Sequence, residues 1–327
     1  MRLTRIDTFR LLAIYNVVWA HCQFFDGIKA ETVPLKVMEL AVIIIVRFTM
    51  QFFFIASGYF VGGKILESPE QRFLLAWKYT KKLLLIFLVW CGIYAIENPE
   101  SVAKLIAKNP LTLVFEGTRT HLWFLVALIL VIWLFTLWPL NKRGKSFLVF
   151  GIAIFILGLL GGSYAITPAG VDLHFNTRNG LFFSTLFFAV GVQFHINKPK
   201  VNPNFAWGLY LAGLALFSLE TYLLWAQWSA LPIRHDFLIG SVPMGIGAFL
   251  VAYTARRETR MDRVMAPLGK YVLGIYVSHI LFLDLLKPLG TMLDPLLWGF
   301  LLPALVFGSS LLVVILLSKT PLRSIVV

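Results

Sequence analysis

The sequence predicts an all-α, polytopic membrane protein of about ten transmembrane helices with both termini in the cytoplasm. Three observations carry that prediction. The 327 residues are 59% hydrophobic and only 14% charged, with a mean hydropathy of +0.81, whereas soluble domains average about a quarter charged. Ten apolar stretches each approach the ~20 residues that a helix needs to cross ~30 Å of hydrocarbon. Lysine and arginine collect in alternate connections between those stretches, which is how membrane topology is encoded.

The stretches fall at 6–25, 38–62, 80–97, 122–140, 147–164, 180–196, 205–227, 236–254, 268–287 and 296–317. With the N-terminus placed in the cytoplasm, 19 of the 29 basic residues lie on the cytoplasmic side and 8 on the other, with Arg10 and Arg47 inside spans. An even number of spans returns the C-terminus to the starting side. The third stretch is the least regular, because Lys78, Lys81 and Lys82 stand at its start. Residues 102–115 are too short and too charged to cross and read as a short surface or re-entrant helix. No long polar segment interrupts the series, so residues 1–327 read as one transmembrane domain.

Several function classes drop out. A net charge of +13 could suggest nucleic acid, but the basic residues are dispersed through short loops and form no single patch. Cys22 and Cys91 are too few for a zinc site or a disulfide framework, so no metal is expected. Arg2 and Arg5 before an apolar run imitate a signal peptide. Arg10 splits that run and no small-x-small cleavage site follows, so the segment is expected to stay as the first span.

That first span carries a polar line. At 100° per residue, the eleven steps from Arg10 to His21 leave the two about 20° apart, and Asp7 is within i,i+3 reach of Arg10. Ionisable groups in hydrocarbon are costly and mark functional sites. His21, toward the outer surface, has the pKa range of a base that takes a proton from a hydroxyl. Arg10, about a turn in from the cytoplasm, offers a fork of donors to phosphate or carboxylate. The structural alternative pairs Arg10 with Asp7 and leaves His21 among the outer headgroups.

Later spans hold fewer candidates. Arg47 sits mid-span with Gln51 at i+4 and Gly58 at i+11. It could clamp a donor phosphate or steady an oxyanion, or pair with Glu39, Asp7 or Glu220. Ser57-Gly58 suits close approach of a helix or cofactor; a nucleophile would need a base beside it, and none is local. Trp123, beside His121, either stacks on an acceptor or belongs to the aromatic belt. Asp172, His174, Asn176 and Arg178 read by default as a solvated loop. Glu220, with Trp225 and Trp228 nearby, orients His21, holds an acceptor or lies at the interface. Tyr276 and His279 are i,i+3 neighbours near mid-membrane, either a packing pair or part of a site.

The run Arg5-Ile-Asp7-Thr-Phe-Arg10-Leu-Leu-Ala13 through Val17-Val18-Trp19-Ala20-His21 resembles the first-helix signature of the acyltransferase-3 family of membrane acyltransferases. Three more segments resemble that family, in its order: Phe52-Phe53-Phe54-Ile55-Ala56-Ser57-Gly58-Tyr59, His121-Leu122-Trp123-Phe124-Leu125, and Leu273-Gly274-Ile275-Tyr276-Val277-Ser278-His279. The resemblance extends from residue 5 to about 317. It implies transfer of an acyl group, usually acetyl from acetyl-CoA, to an extracytoplasmic acceptor, commonly a hydroxyl of a surface glycan. It also implies a helical bundle around a passage between the donor and acceptor sides.

The family often has an Arg-x-x-Arg-like cluster where this chain reads Lys78-Tyr-Thr-Lys81-Lys82. Lysines keep the charge that attracts CoA phosphates but lose bidentate geometry; the same residues also serve the positive-inside bias. The expectation is therefore a bacterial inner-membrane O-acetyltransferase acting in polysaccharide modification. Its acyl-CoA phosphates would lie near Arg10, Lys81 and Lys82, with His21 deprotonating the acceptor or relaying the acyl group. Expected partners are acyl-CoA, a glycan or lipid-linked sugar, and membrane lipids. The rival is a polysaccharide or lipid-linked-sugar transporter with Asp7, His21 and Glu220 as a proton relay.

Overall fold

The computed structural model describes residues 4–22, 44–139, 144–173, 177–178, 180–228, 238–255 and 258–327. Among them every regular element is helical. In chain order the first are α1 (Thr4–His21), α2 (Ile44–Glu67), α3 (Arg72–Glu97), α4 (Pro99–Lys108), α5 (Leu111–Glu116) and α6 (Trp123–Leu137). They are followed by α7 (Lys145–Leu160), α8 (Leu181–Asn197), α9 (Pro203–Trp228), α10 (Ser241–Tyr253), α11 (Arg260–Met265), α12 (Val272–Leu286) and α13 (Pro295–Leu317).

Each predicted apolar stretch falls at least in part on a helix, but among the described residues fewer than ten helices have the length and composition of a membrane span. Six do: Ile44–Glu67, Pro69–Glu97, Thr120–Leu137, Pro203–Trp228, Arg260–Thr291 and Pro295–Leu317. α7, α8 and α10 have 16, 17 and 13 residues. At 1.5 Å per residue they reach about 20–26 Å, short of a ~30 Å hydrocarbon core. α1 has 18 residues but carries Arg5, Asp7 and Arg10.

Local signals set several of these ends. Trp138 precedes Pro139 and takes an extended conformation (ψ 143°), which stops α6 three residues before the predicted end. At the other extreme, α3 begins at Arg72, eight residues before the predicted span. Lysine is a good helix former, so Lys78, Lys81 and Lys82 ride on its first turns, exposed. The 102–115 stretch forms α4 and α5, neither with a buried side chain. Asn98 caps α4 by accepting from the Ser101 N–H at 3.0 Å, with Pro99 at the first helical position.

The helices gather into two compact units, Met1–Thr49 with Ala255–Val327, and Met50–Thr254. In the first, α1 packs on α11, α12, α13 and the 3-10 turn Ala266–Tyr271. Its entry is anchored by Asp262, 1% exposed, whose Oδ2 lies 2.9 Å from Arg5 Nη2. Asp262 also closes a capping box with Thr259 at the start of α11, accepting from its N–H at 2.8 Å and its hydroxyl at 2.7 Å.

In the second unit, glycines bring backbones into direct contact. α9 and α10 run antiparallel with Gly247 against Tyr210, Gly213 against Met244 and Gly240 against Phe217. α2 and α8 run side by side, with Gly58 against the Phe188 carbonyl and Gly191 against the Ile55 carbonyl. Small residues at such contacts let dispersion forces act where lipid offers no hydrophobic drive. The contact coincides with a π-helical turn over Gly58–Gly62 inside α2, so the Ser57-Gly58 motif serves close helix approach. Gly58→Ala would drive a methyl into the Phe188 carbonyl. We expect it to destabilise the folded protein by at least about 1–3 kcal/mol, read as a lower unfolding temperature in detergent.

Candidate active site

α1 is uninterrupted from Thr4 to His21, so Arg10 and His21 lie about 16 Å apart along its axis. Arg10 Nη1 donates to Asp7 Oδ1 at 3.3 Å, an i,i+3 pair with both side chains partly exposed. The pair engages one of five guanidinium N–H groups, so the fork keeps capacity for an anion. Behind Asp7, Gly269 of the 3-10 turn leaves no room for a Cβ.

At the far end of the helix, His21 is exposed and meets His279 of α12, ring centroid to ring centroid 5.2 Å, planes at 52°. His279 is completely buried, and its Nδ1 lies 2.6 Å from the carbonyl of Tyr276 one turn earlier. The Tyr276 ring, 5% exposed, lies 6.1 Å from the His279 ring. His21, Tyr276 and His279, which stand in two motifs more than 250 residues apart, thus form one cluster. An exposed imidazole over a buried one is an arrangement suited to proton transfer or to nucleophilic attack.

The remaining candidates lie elsewhere. Arg47 sits where a turn interrupts α2, its N–H bonded to the Ile44 carbonyl at 3.1 Å; Glu39, offered as its partner, is outside the described residues. Ser57 is half-buried at the start of the π-helical turn. Of the three lysines on α3, Lys81 Nζ lies 5.9 Å above the Trp77 ring.

Trp123, 7% exposed, packs with Phe54 and Phe183, each at 6.2 Å, and Arg178 covers its ring at 5.3 Å. Phe124 meets Phe53 and Phe54 at 6.1 and 4.8 Å. The two Phe-rich motifs are therefore one aromatic core. Arg178 belongs to that core more than to a solvated loop; His174 and Asn176 lie outside the described residues.

Glu220 is 8% exposed and its carboxylate is fully engaged. It accepts from the Tyr164 hydroxyl and from the N–H groups of Ile239 (3.0 Å) and Gly240 (2.6 Å) at the start of α10. A carboxylate at a helix N-terminus satisfies orphan donors and complements the helix dipole. It forms the end rung of the α9–α10 register. Tyr164 as its partner, like Asp262 at the base of α1, escaped sequence reasoning. Thr259-Arg-Met-Asp262 is a legible capping box, whereas nothing local marks Tyr164. Among the described residues no cluster of three or more His, Cys, Asp or Glu could hold a metal.

Comparison with known proteins now defines the class. The acyltransferase-3 family model, described as an acyltransferase domain, matches residues 3–319, and the chain belongs to this family. It is a multi-pass membrane protein of a membrane-acyltransferase family. It is also similar to two proteins named amino-acid racemase from Enterococcus faecalis. One is 30% identical over 58% of this chain and 29% of the racemase, the other 29% identical over 57% and 27%. A serine/alanine racemase from Enterococcus gallinarum is 27% identical over 60% of this chain and 29% of its own length. The chain thus spans under a third of the curated relatives it matches. No solved structure matches it.

Glu220→Ala would strand the buried Gly240 N–H ahead of α10, at about 1–3 kcal/mol, and release the more exposed Ile239 N–H. We expect a lower unfolding temperature even without any substrate; unchanged stability would return Glu220 to the acceptor-binding candidates.

Proposed function

We propose that this protein is an O-acyltransferase of a bacterial inner membrane that moves an acetyl group from cytoplasmic acetyl-CoA to a hydroxyl of an extracytoplasmic acceptor, a cell-surface glycan or lipid-linked sugar. In this reading the ten helices matching the predicted stretches form the membrane domain, both termini are cytoplasmic, and α1 runs outward. The observation that carries it is His21, exposed at the C-terminal end of α1 and backed by a buried imidazole, within a chain of this family.

The chemistry follows from that placement. The CoA phosphates lie toward Arg10 and the pantetheine arm carries the thioester outward toward His21; Lys78, Lys81 and Lys82 remain the donor-phosphate candidates of the other unit. A lone pair on one His21 nitrogen takes the acceptor's proton while its oxygen attacks the thioester carbonyl. The tetrahedral intermediate expels CoA thiolate, which recovers the proton, leaving an ester and free CoA. An acyl-histidine route requires the same lone pair, now forming the bond to the acyl carbon itself. Arg47 is the candidate for steadying the oxyanion.

The racemase names do not extend to this chain, because the match covers so little of those proteins. The transporter alternative loses ground on one observation: Glu220, a member of its proton relay, is held by three donors at the head of α10.

His21→Ala should reduce acetylation by about 10²–10⁴-fold at unchanged abundance. Mass spectrometry of surface glycans from cells with and without the protein, and with the variant, measures this; normal acetylation in the variant would overturn the reading. Arg10→Gln should raise the KM for acetyl-CoA about tenfold, equivalent to ~1.4 kcal/mol, with kcat little changed.

A further inference from the structure

We infer that the α4–α5 pair is a lipid-binding element lying along the membrane surface, with its apolar face toward the acyl chains and its lysines at anionic phospholipid headgroups. The inference begins from where the pair is tied down.

α4 and α5 join two helices that have the length and composition of membrane spans, Pro69–Glu97 and Thr120–Leu137. Both ends of the excursion are fastened near the same end of α3. Arg119 Nη2 lies 2.6 Å from Glu97 Oε2, and the Thr118 hydroxyl donates to the Cys91 carbonyl at 3.0 Å. Gly117 turns the chain back at φ 71°, where a Cβ would meet the Cys91 sulfur at 2.7 Å. The residues between therefore leave and return at the end of a span, where hydrocarbon gives way to headgroups.

The pattern of side chains decides between lying flat and dipping inward. Val102, Leu105 and Ile106 stand at i, i+3 and i+4 on α4. Glu100, Lys104 and Lys108 recur every four residues, about 150° round the helix from them. Three charges on a ten-residue helix are costly inside hydrocarbon, whereas an apolar face opposite a charged one suits the plane of the interface. α5 extends the apolar surface with Leu111, Val114 and Phe115, again at i, i+3 and i+4 and all exposed. The turn between the helices satisfies itself, since Asn109 Oδ1 accepts from the Leu111 N–H at 3.1 Å.

A helix this short is marginal in water by itself, and neither α4 nor α5 buries a side chain against the protein. A leaflet supplies the missing burial, and the bounding helices already stand in it. Lys104 and Lys108, one turn apart, bring two ammonium groups to the level of the phosphates. The charge complementarity selects anionic lipid.

Spin labels test the depth in full-length protein carrying Cys22→Ala and Cys91→Ala and reconstituted in nanodiscs. Oxygen, which concentrates in lipid, should collide more often than a water-soluble nickel chelate at Ile106→Cys and Val114→Cys, with the reverse order at Lys104→Cys. Equal access of the chelate to all three would overturn the proposal, as would lipid burial at Lys104→Cys, the mark of a re-entrant segment. Hydrogen exchange of residues 99–116 reads the headgroup contact and needs no cysteine changes. Adding phosphatidylglycerol to phosphatidylcholine nanodiscs should raise protection about tenfold, and Lys104→Gln with Lys108→Gln should remove most of that rise. Protection indifferent to lipid charge would overturn the proposal. So would protection that follows protein concentration in detergent, which would put a second copy on this face.

Discussion

Asp262 receives Arg5 and Thr259 on a carboxylate sealed from solvent, and this pairing fixes where the first helix begins. A buried carboxylate is tolerable only when it is paired and hydrogen-bonded. Once it is, the start of α1 is pinned to α11, and the 3-10 turn that follows abuts Asp7 through Gly269. The eighteen residues of α1 then run unbroken to His21, so its height and azimuth are set from the opposite end of the helix. Of the two ends, the anchor is buried and the imidazole exposed.

The same rule operates in the second unit with a different outcome. Glu220 satisfies the head of α10, and the glycines below it let α9 and α10 touch backbone to backbone. α2 and α8 repeat the device at Gly58 and Gly191. Where apolar side chains gain nothing by leaving lipid for protein, close contact and satisfied polar groups supply the cohesion. An intramembrane charge is therefore not by itself a catalytic group. Glu220 and Asp262 are held by several donors each, whereas the imidazole of His21 stays exposed at a helix end.

The motifs divide along the same line. Phe52-Phe53-Phe54 and Trp123-Phe124, each unremarkable alone, prove to be two halves of one aromatic core. Tyr276-x-x-His279 and the His21 that ends the first-helix motif converge on one cluster. Motifs far apart along the chain are thus brought together by packing, in the first case as an aromatic core and in the second as a cluster of polar rings.

Membrane character, the helical class, ten helix-forming stretches and the polar stripe of α1 were all legible in the residues, because hydropathy and the 3.6-residue period are local properties. Family membership was legible in the same way, through motifs in order. Helix ends were less so, since the lysines of α3 extend a helix outward and Pro139 shortens another. Partnerships across long separations were beyond any local signal: His21 with His279, Arg5 with Asp262 and Tyr164 with Glu220 depend on which faces meet, and only packing settles that. Sequence could nominate the ionisable groups, while tertiary structure alone showed that Glu220 and Asp262 hold helices together and that His21 meets His279.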